Sequence, residues 1–244
     1  MKYFLICCVL LALSFAFAAC GDDGDSATRP SDESSSSVAM PMSSWSGGEA
    51  GTIGSSSSVM LSSSSETLSV VDPASVVKGT FADSRDGQTY KTVTIGSQTW
   101  MGENLNFEME NSYCHENKTD HCDLYGRYYT WDAAMNACPA GWHLPTWDEF
   151  DILISAVGGV EIAGKKLKSA SGWFNDGNGT DAYGFSILPA GEKSGGVSRQ
   201  AHFWTATEFS STYASYVYLS SDNNNVAVYN NDKEVIKYVR CVKD

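Results

Sequence analysis

The alternation of hydrophobic and polar positions is clearest in Tyr90-Lys91-Thr92-Val93-Thr94-Ile95, where Val93 and Ile95 alternate with threonines and β-branched side chains dominate. Gly96-Ser97 interrupts this rhythm and Gln98-Thr99-Trp100-Met101 resumes it. A period of two with a two-residue break predicts a hairpin, and Asp86-Gly87 marks a turn just before it. The rhythm then lengthens. An aromatic approach, Tyr125 to Tyr129, leads to a short helix over Thr130–Ala137 with Thr130 as N-cap. A second helix opens at Thr146, with Glu149 three residues later completing a capping box and Leu144 near the staple position. Acids at Asp148, Glu149 and Asp151 suit the positive end of its dipole. Phe150, Leu153, Ile154 and Val157 share one face, and Gly158-Gly159 stops the helix. Five later runs read as short strands: Tyr183–Leu188, His202–Thr207, Tyr213–Leu219, Val226–Tyr229 and Val235–Val242. Helices early and strands late predict an α+β domain. The Gly/Ser-rich loop from Pro189 to Gln200 is long enough to carry function.

Upstream of residue 76 the periodicity disappears. Lys2 precedes an apolar run from Tyr3 to Ala19, too short and too close to the terminus for a membrane span. The run ends in Phe17-Ala18-Ala19-Cys20, which resembles a bacterial lipobox with Phe17 in place of the usual Leu. That implies cleavage before Cys20 and its lipidation, with an unlipidated secretory signal as the alternative. Residues 1–19 are thus read as a signal peptide. Residues 20–75 carry three runs of four serines and few apolar side chains, so they cannot bury enough surface to offset ordering entropy. They read as a flexible tether, and residues 76–244 as the folded domain.

Charge narrows the list of partners. The chain has a formal net charge of −13. Eight acids and two bases fall in residues 1–75, which leaves 21 acids and 14 bases for the domain. Lys165, Lys166 and Lys168 form the densest basic group, read as a solvated face. Nucleic-acid binding is not expected.

Four cysteines remain after the signal and Cys20: Cys114, Cys122, Cys138 and Cys241. An even number in an exported domain points to disulfides, and four cysteines allow three pairings. Cys114–Cys122 would close a small loop, and Cys138–Cys241 would then tie mid-domain to the last strand. The small loop also contains His115 and His121, so Cys114, His115, His121 and Cys122 offer a zinc ligand set with unfavourably adjacent ligands. Cys138 lies five residues before His143, which raises a thiol–imidazole dyad as a third use. A cysteine between two helices with a disulfide partner is more simply structural.

Five ordered stretches carry a resemblance. They are Gln98-Thr99-Trp100-Met101 with Glu103-Asn104-Leu105-Asn106; Tyr125-Gly126-Arg127 with Tyr129-Thr130-Trp131; the run from Cys138 to Thr146; Gly179-Thr180-Asp181 with Gly184-Phe185-Ser186 and Leu188-Pro189-Ala190-Gly191; and Val239-Arg240-Cys241-Val242. Together they resemble the Fibrobacter succinogenes major paralogous domain, from about residue 80 to the end. The resemblance implies a C-type lectin-like fold related to the formylglycine-generating enzymes. Two helices would pack on a looped antiparallel β-sheet, disulfide-closed by the terminal strand. It also implies export, often as a lipoprotein on the outer membrane or cell surface, and it assigns no activity.

Three functions fit these observations. The first is a non-catalytic binding module for polysaccharide, with Trp173, Asn178, Asp181 and Tyr213 as ligand-binding candidates and Phe174 and Trp204 as further aromatics. The sugar-binding calcium tripeptides of lectins do not occur. Asp176-Gly177-Asn178-Gly179-Thr180-Asp181 lacks the acid and the later Glu of a calcium loop, so no metal or cofactor is expected. The second is an enzyme, which is not expected: the enzyme relatives need a late pair of redox cysteines, and this chain has only Cys241 there. The third is an adhesive or scaffolding protein that contacts other envelope proteins through its Tyr-rich end, held at the membrane by the lipid on Cys20.

Overall fold

The computed structural model describes residues 69–191 and 197–244. The expected signal peptide, Cys20 and most of the tether lie outside the described residues, as does part of the Pro189–Gln200 loop. The first sheet is built from β1 (Val77–Ala82), β2 (Thr89–Ile95) and β3 (Gln98–Met101), with β6 (Trp142–His143) and β11 (Val242–Lys243) added in the order β1-β2-β3-β11-β6. The expected hairpin is β2–β3, pairing Val93 with Trp100 and Ile95 with Gln98. The second sheet joins β4 (Ser112–Tyr113), β5 (Tyr128–Tyr129), β7 (Gln200–Glu208), β8 (Tyr213–Ser220), β9 (Ala227–Asp232) and β10 (Lys237–Tyr238) in the order β4-β5-β10-β7-β8-β9. All pairings are antiparallel except β10 with β7.

The run expected as one strand, Val235–Val242, is two strands in different sheets. Val239-Arg240-Cys241 carries the chain from one sheet to the other. All three side chains are buried at that crossing. The C-terminal strand then sits between β3 and β6, pairing Val242 with both Trp100 and His143. The last residues therefore close the domain.

Among the described residues, four short α-helices accompany the sheets: α1 (Thr119–Tyr125), α2 (Trp131–Ala137), α3 (Trp147–Ala156) and α4 (Val160–Leu167). The sequence reading anticipates α2 and α3. On α3 the capping box is complete: Glu149 N donates to Thr146 Oγ1, and Thr146 N donates to Glu149 Oε2 at 2.8 Å. Thr130 bounds α2 without a side-chain cap bond. The apolar face of α3 buries Phe150, Leu153, Ile154 and Ala156 against Trp100 and the inner faces of both sheets. Phe150, Leu153 and Ile154 each contribute about 1.5–3 kcal/mol when fully buried. The two helices missed are weakly signalled. α1 holds Thr, Asp and His in seven residues, and α4 follows the very Gly-Gly that ends α3.

Three expectations are corrected. Tyr183, Phe185 and Ile187 alternate inward as a strand would, and all three are buried. The backbone does not form a strand there: Asp181 and Ser186 have positive φ, and only Ile187 bridges, to Lys168. The ordered domain also begins before residue 76. Val71 N donates to Ala156 O, Tyr183 Oη donates to Val71 O, and the Val71 side chain packs on the core. Finally, the lysine group is not a solvated face. Lys168 is 1 % exposed, and its ammonium donates to the carbonyls of Ser220 and Asn223, both at 2.9 Å. Lys165 and Lys166 cap the carbonyls of Asn178 and Val157. These cations satisfy loop carbonyls that the sheets leave unpaired.

Candidate functional site

Both short-range and long-range cysteine pairs are disulfides: Cys114–Cys122, eight residues apart, and Cys138–Cys241, 103 apart. The zinc set of two Cys and two His therefore does not form, and Cys138 has no thiol to offer His143. His143 instead lies between two carboxylates, with Nδ1 2.6 Å from Asp244 and Nε2 2.7 Å from Glu149. Burial pulls its pKa down, but the hydrogen bonds to Asp244 and Glu149 outweigh that and raise it. The CPAGWHLPT stretch is a joint: one end is bonded to the terminal crossing, the other starts α3.

The four ligand-binding candidates do not form one site. Trp173 is 4 % exposed, and its indole N–H donates to Ser169 Oγ and Ile187 O, so it offers no stacking face. Asn178 Oδ1 accepts from Trp173 N, and Asp181 accepts from both the N–H and the hydroxyl of Ser186. These side chains fold the 173–186 loop onto itself. Its glycines have no room to spare: a Cβ on Gly179 would lie 2.0 Å from Lys168 O. Trp204 is fully buried, as a core residue would be. Tyr213 is exposed but begins β8, whose far end meets the loop at Ser221. Seven residue steps separate the two ends, roughly 23 Å at about 3.3 Å per residue.

A cleft of about 300 Å³ lies elsewhere, between the β2–β3 hairpin and α1. That volume is at the small end of ligand pockets. Its floor is Arg240, 1 % exposed, at the sheet crossing. The guanidinium donates from Nε (3.2 Å) and Nη2 (2.6 Å) to Asn104 Oδ1, and from Nη1 to the Phe185 carbonyl. No carboxylate among the described residues pairs with it. Burial lowers its pKa to about 9, with Asp181 and Glu103 acting weakly in the opposite direction, so it remains charged at neutral pH. Asn104 in turn donates to Tyr125 O at the end of α1. Gly126 ends that helix with φ +77°, where any Cβ would meet Asn104 and Leu105 O at 2.8 Å. The floor is thus rigid and positively charged.

The walls supply hydrogen-bonding groups. Tyr90 Oη accepts from Asn106 N, and burial pushes its pKa up to about 12, so it stays a neutral hydroxyl. Lys91 and Glu103 pair at 3.0 Å on the exposed rim. Asn106 Oδ1 is buried and has no hydrogen-bond partner among the described residues. An unpaired buried acceptor costs about 1–3 kcal/mol, so it calls for an explanation. The sequence motifs contain Asn104, Asn106 and Arg240, but their spacing gave them no role. They meet because residues 88–91, 102–106, 122–126, 186–188 and 240 converge only in the fold.

No helix among the described residues is long and apolar enough to cross a membrane. No curated protein and no solved structure matches the chain. Comparison with protein families matches residues 93–243 to the Fibrobacter succinogenes major domain. The match spans β2 to β11 and includes Asn104, Asn106, both disulfides and Arg240. The chain therefore belongs to the Fibrobacter succinogenes major domain family.

Proposed function

We propose that this is an exported, lipid-anchored envelope protein whose domain binds saccharide without catalysis, through the Arg240-floored cleft. The observation that carries this reading is the polar cleft of ligand size that Asn106 lines, a residue whose buried Oδ1 has no partner among the described residues. Turning the Asn106 side chain into the cleft would give that Oδ1 a sugar hydroxyl as its donor. The amides, the Tyr90 and Ser186 hydroxyls and the rim pair of Lys91 and Glu103 suit a polyhydroxylated ligand. With both cysteine pairs bonded, the described residues offer no free thiol.

The test is affinity electrophoresis of the full chain through a panel of plant and bacterial polysaccharides, with Asn106→Ala beside it. The Asn106 side chain makes no hydrogen bond that holds the fold, so the variant should keep its unfolding midpoint. Retardation on at least one glycan, lost in Asn106→Ala, supports the reading. No retardation on any glycan overturns it.

One observation favours a second reading, contact with envelope proteins. Tyr229 and Tyr213 are 43 % and 45 % exposed on β9 and β8, and β9 is an edge strand of its sheet. An edge with exposed aromatic side chains suits protein contact. Retention of the full chain on isolated envelope proteins, lost in Tyr229→Ala and kept in Asn106→Ala, would favour it.

A further inference from the structure

The loop closed by the Cys114–Cys122 disulfide brings together three other potential ligands. Among the described residues, His115, Glu116 and His121 form a group in which one ligand atom from each lies within 4.8 Å of the others. Their protonation follows from their neighbours. His121 Nδ1 lies 3.2 Å from the His115 carbonyl, which only accepts, so Nδ1 carries the proton and Nε2 keeps the lone pair. Tyr128 Oη donates to Ala190 O and so accepts from His115 Nδ1 at 3.2 Å, which again leaves the lone pair on Nε2. That Nε2 is 3.9 Å from Glu116 Oε1, too far for a hydrogen bond and with no proton to share. The two imidazole rings stack with centroids 5.3 Å apart.

Two imidazoles and a carboxylate gathered this closely suit a cation shared among them. Glu116 Oε2 is held by Lys118 at 2.7 Å, an exposed pair that leaves Oε1 turned toward His115. The backbone supports this placement. Glu116 and Asn117 both adopt left-handed conformations, with φ of 53° and 56°, at a cost of about 1–3 kcal/mol each. The disulfide flanks the set on both sides and fixes the span between its two histidines. His115 is buried, His121 half-buried and Glu116 exposed, so an ion would have protein on one side and solvent on the other. His115 would also have an outer partner, Tyr128, of the kind that orients metal-binding imidazoles.

We propose that His115, Glu116 and His121 form a binding site for a divalent ion of the zinc, cobalt, nickel and copper class. Two imidazoles and one carboxylate suit that class and leave a coordination position for water or a ligand. The site shares no residue with the cleft walls, so it stands or falls separately from saccharide binding. His121 opens α1, whose later residues Asp123, Leu124 and Tyr125 line the cleft, so a bound ion would stiffen that wall.

The experiment is a Co²⁺ titration of the full-length, untagged, oxidised protein, followed by its visible ligand-field bands and repeated by calorimetry with Zn²⁺. One equivalent should bind. His121→Ala and Glu116→Gln, chosen because neither residue is a fully buried core residue, should each weaken binding at least about tenfold, since each removes one of three ligands. His143→Ala should leave binding unchanged. Circular dichroism checks that the variants are folded. No binding by the wild-type protein below millimolar metal overturns the proposal. So does equal affinity in all three variants, or loss of binding in His143→Ala alone.

Discussion

The disulfide between Cys138 and Cys241 should contribute more to stability than the one between Cys114 and Cys122. The long bond closes a span of 103 residues, the short one a span of 8. In the chain-entropy relation the long closure is worth about 4.7 kcal/mol and the short one about 2.5 kcal/mol, because the loss grows with the logarithm of loop length. Location reinforces the difference. Cys241 lies at the crossing between sheets, beside Val239 and Arg240, whereas the short bond joins two residues of one local segment, Cys114 and, in α1, Cys122. The perturbation is each pair replaced in turn by serine, as a double substitution, so that no lone thiol can form new bonds. The assay is thermal and urea unfolding of the oxidised full chain. At about 2–4 °C per kcal/mol for a domain of this size, Cys138→Ser with Cys241→Ser should lower the midpoint by about 10–20 °C. Cys114→Ser with Cys122→Ser should lower it by about half as much. A larger loss from the short bond than from the long one would refute the reasoning that the sheet crossing holds the domain closed.

Three further expectations follow. Gly179→Ala places a Cβ against the Lys168 carbonyl at 2.0 Å and should destabilise by about 3 kcal/mol or more, read in urea unfolding; an effect below about 0.5 kcal/mol contradicts the loop packing. Lys168→Ala leaves the carbonyls of Ser220 and Asn223 without their buried donor and should cost about 2–4 kcal/mol, although a surface lysine would cost almost nothing. His143 has its folded pKa raised and Glu149 has its lowered, so the His143 contribution is fully present below about pH 6.5 and fades as pH rises through the higher folded value. The Glu149 contribution is present above about pH 4.5 and fades in acid. His143→Gln should therefore flatten the fall in stability from pH 6 to pH 8, and an unchanged slope would exclude the pairing.

What could be read in the sequence was local, or followed from counting. The capping box of Thr146 and Glu149 needs only four residues, and the β2–β3 hairpin only thirteen, so both emerged with their boundaries nearly right. That Cys114, Cys122, Cys138 and Cys241 would be in disulfides followed from setting aside Cys7, Cys8 and Cys20, but three pairings stayed open until the fold brought Cys138 to Cys241. Alternation at Tyr183, Phe185 and Ile187 reported burial faithfully but not backbone pairing, because positive φ at Asp181 and Ser186 bends the chain away from a ladder. Lys168 misled because charge alone says surface. Its burial depends on two carbonyls more than fifty residues away, which no local window contains. Trp173 misled in the same way: an aromatic beside Gly and Asn looks like a loop platform until its indole finds Ser169 and Ile187. The cleft was least visible of all, since its parts come from five separate stretches and its floor is Arg240 at the sheet crossing.

The cleft and the tyrosine edge share no residue, so one measurement distinguishes them. Backbone amide shifts of the isotopically labelled full chain, followed by NMR during titration with soluble oligosaccharides, test the saccharide reading most directly. The account predicts saturable shifts at Lys91, Glu103, Asn106 and Tyr125, with residues 213–232 unmoved. Shifts confined to residues 213–232, or none with any saccharide, would contradict it.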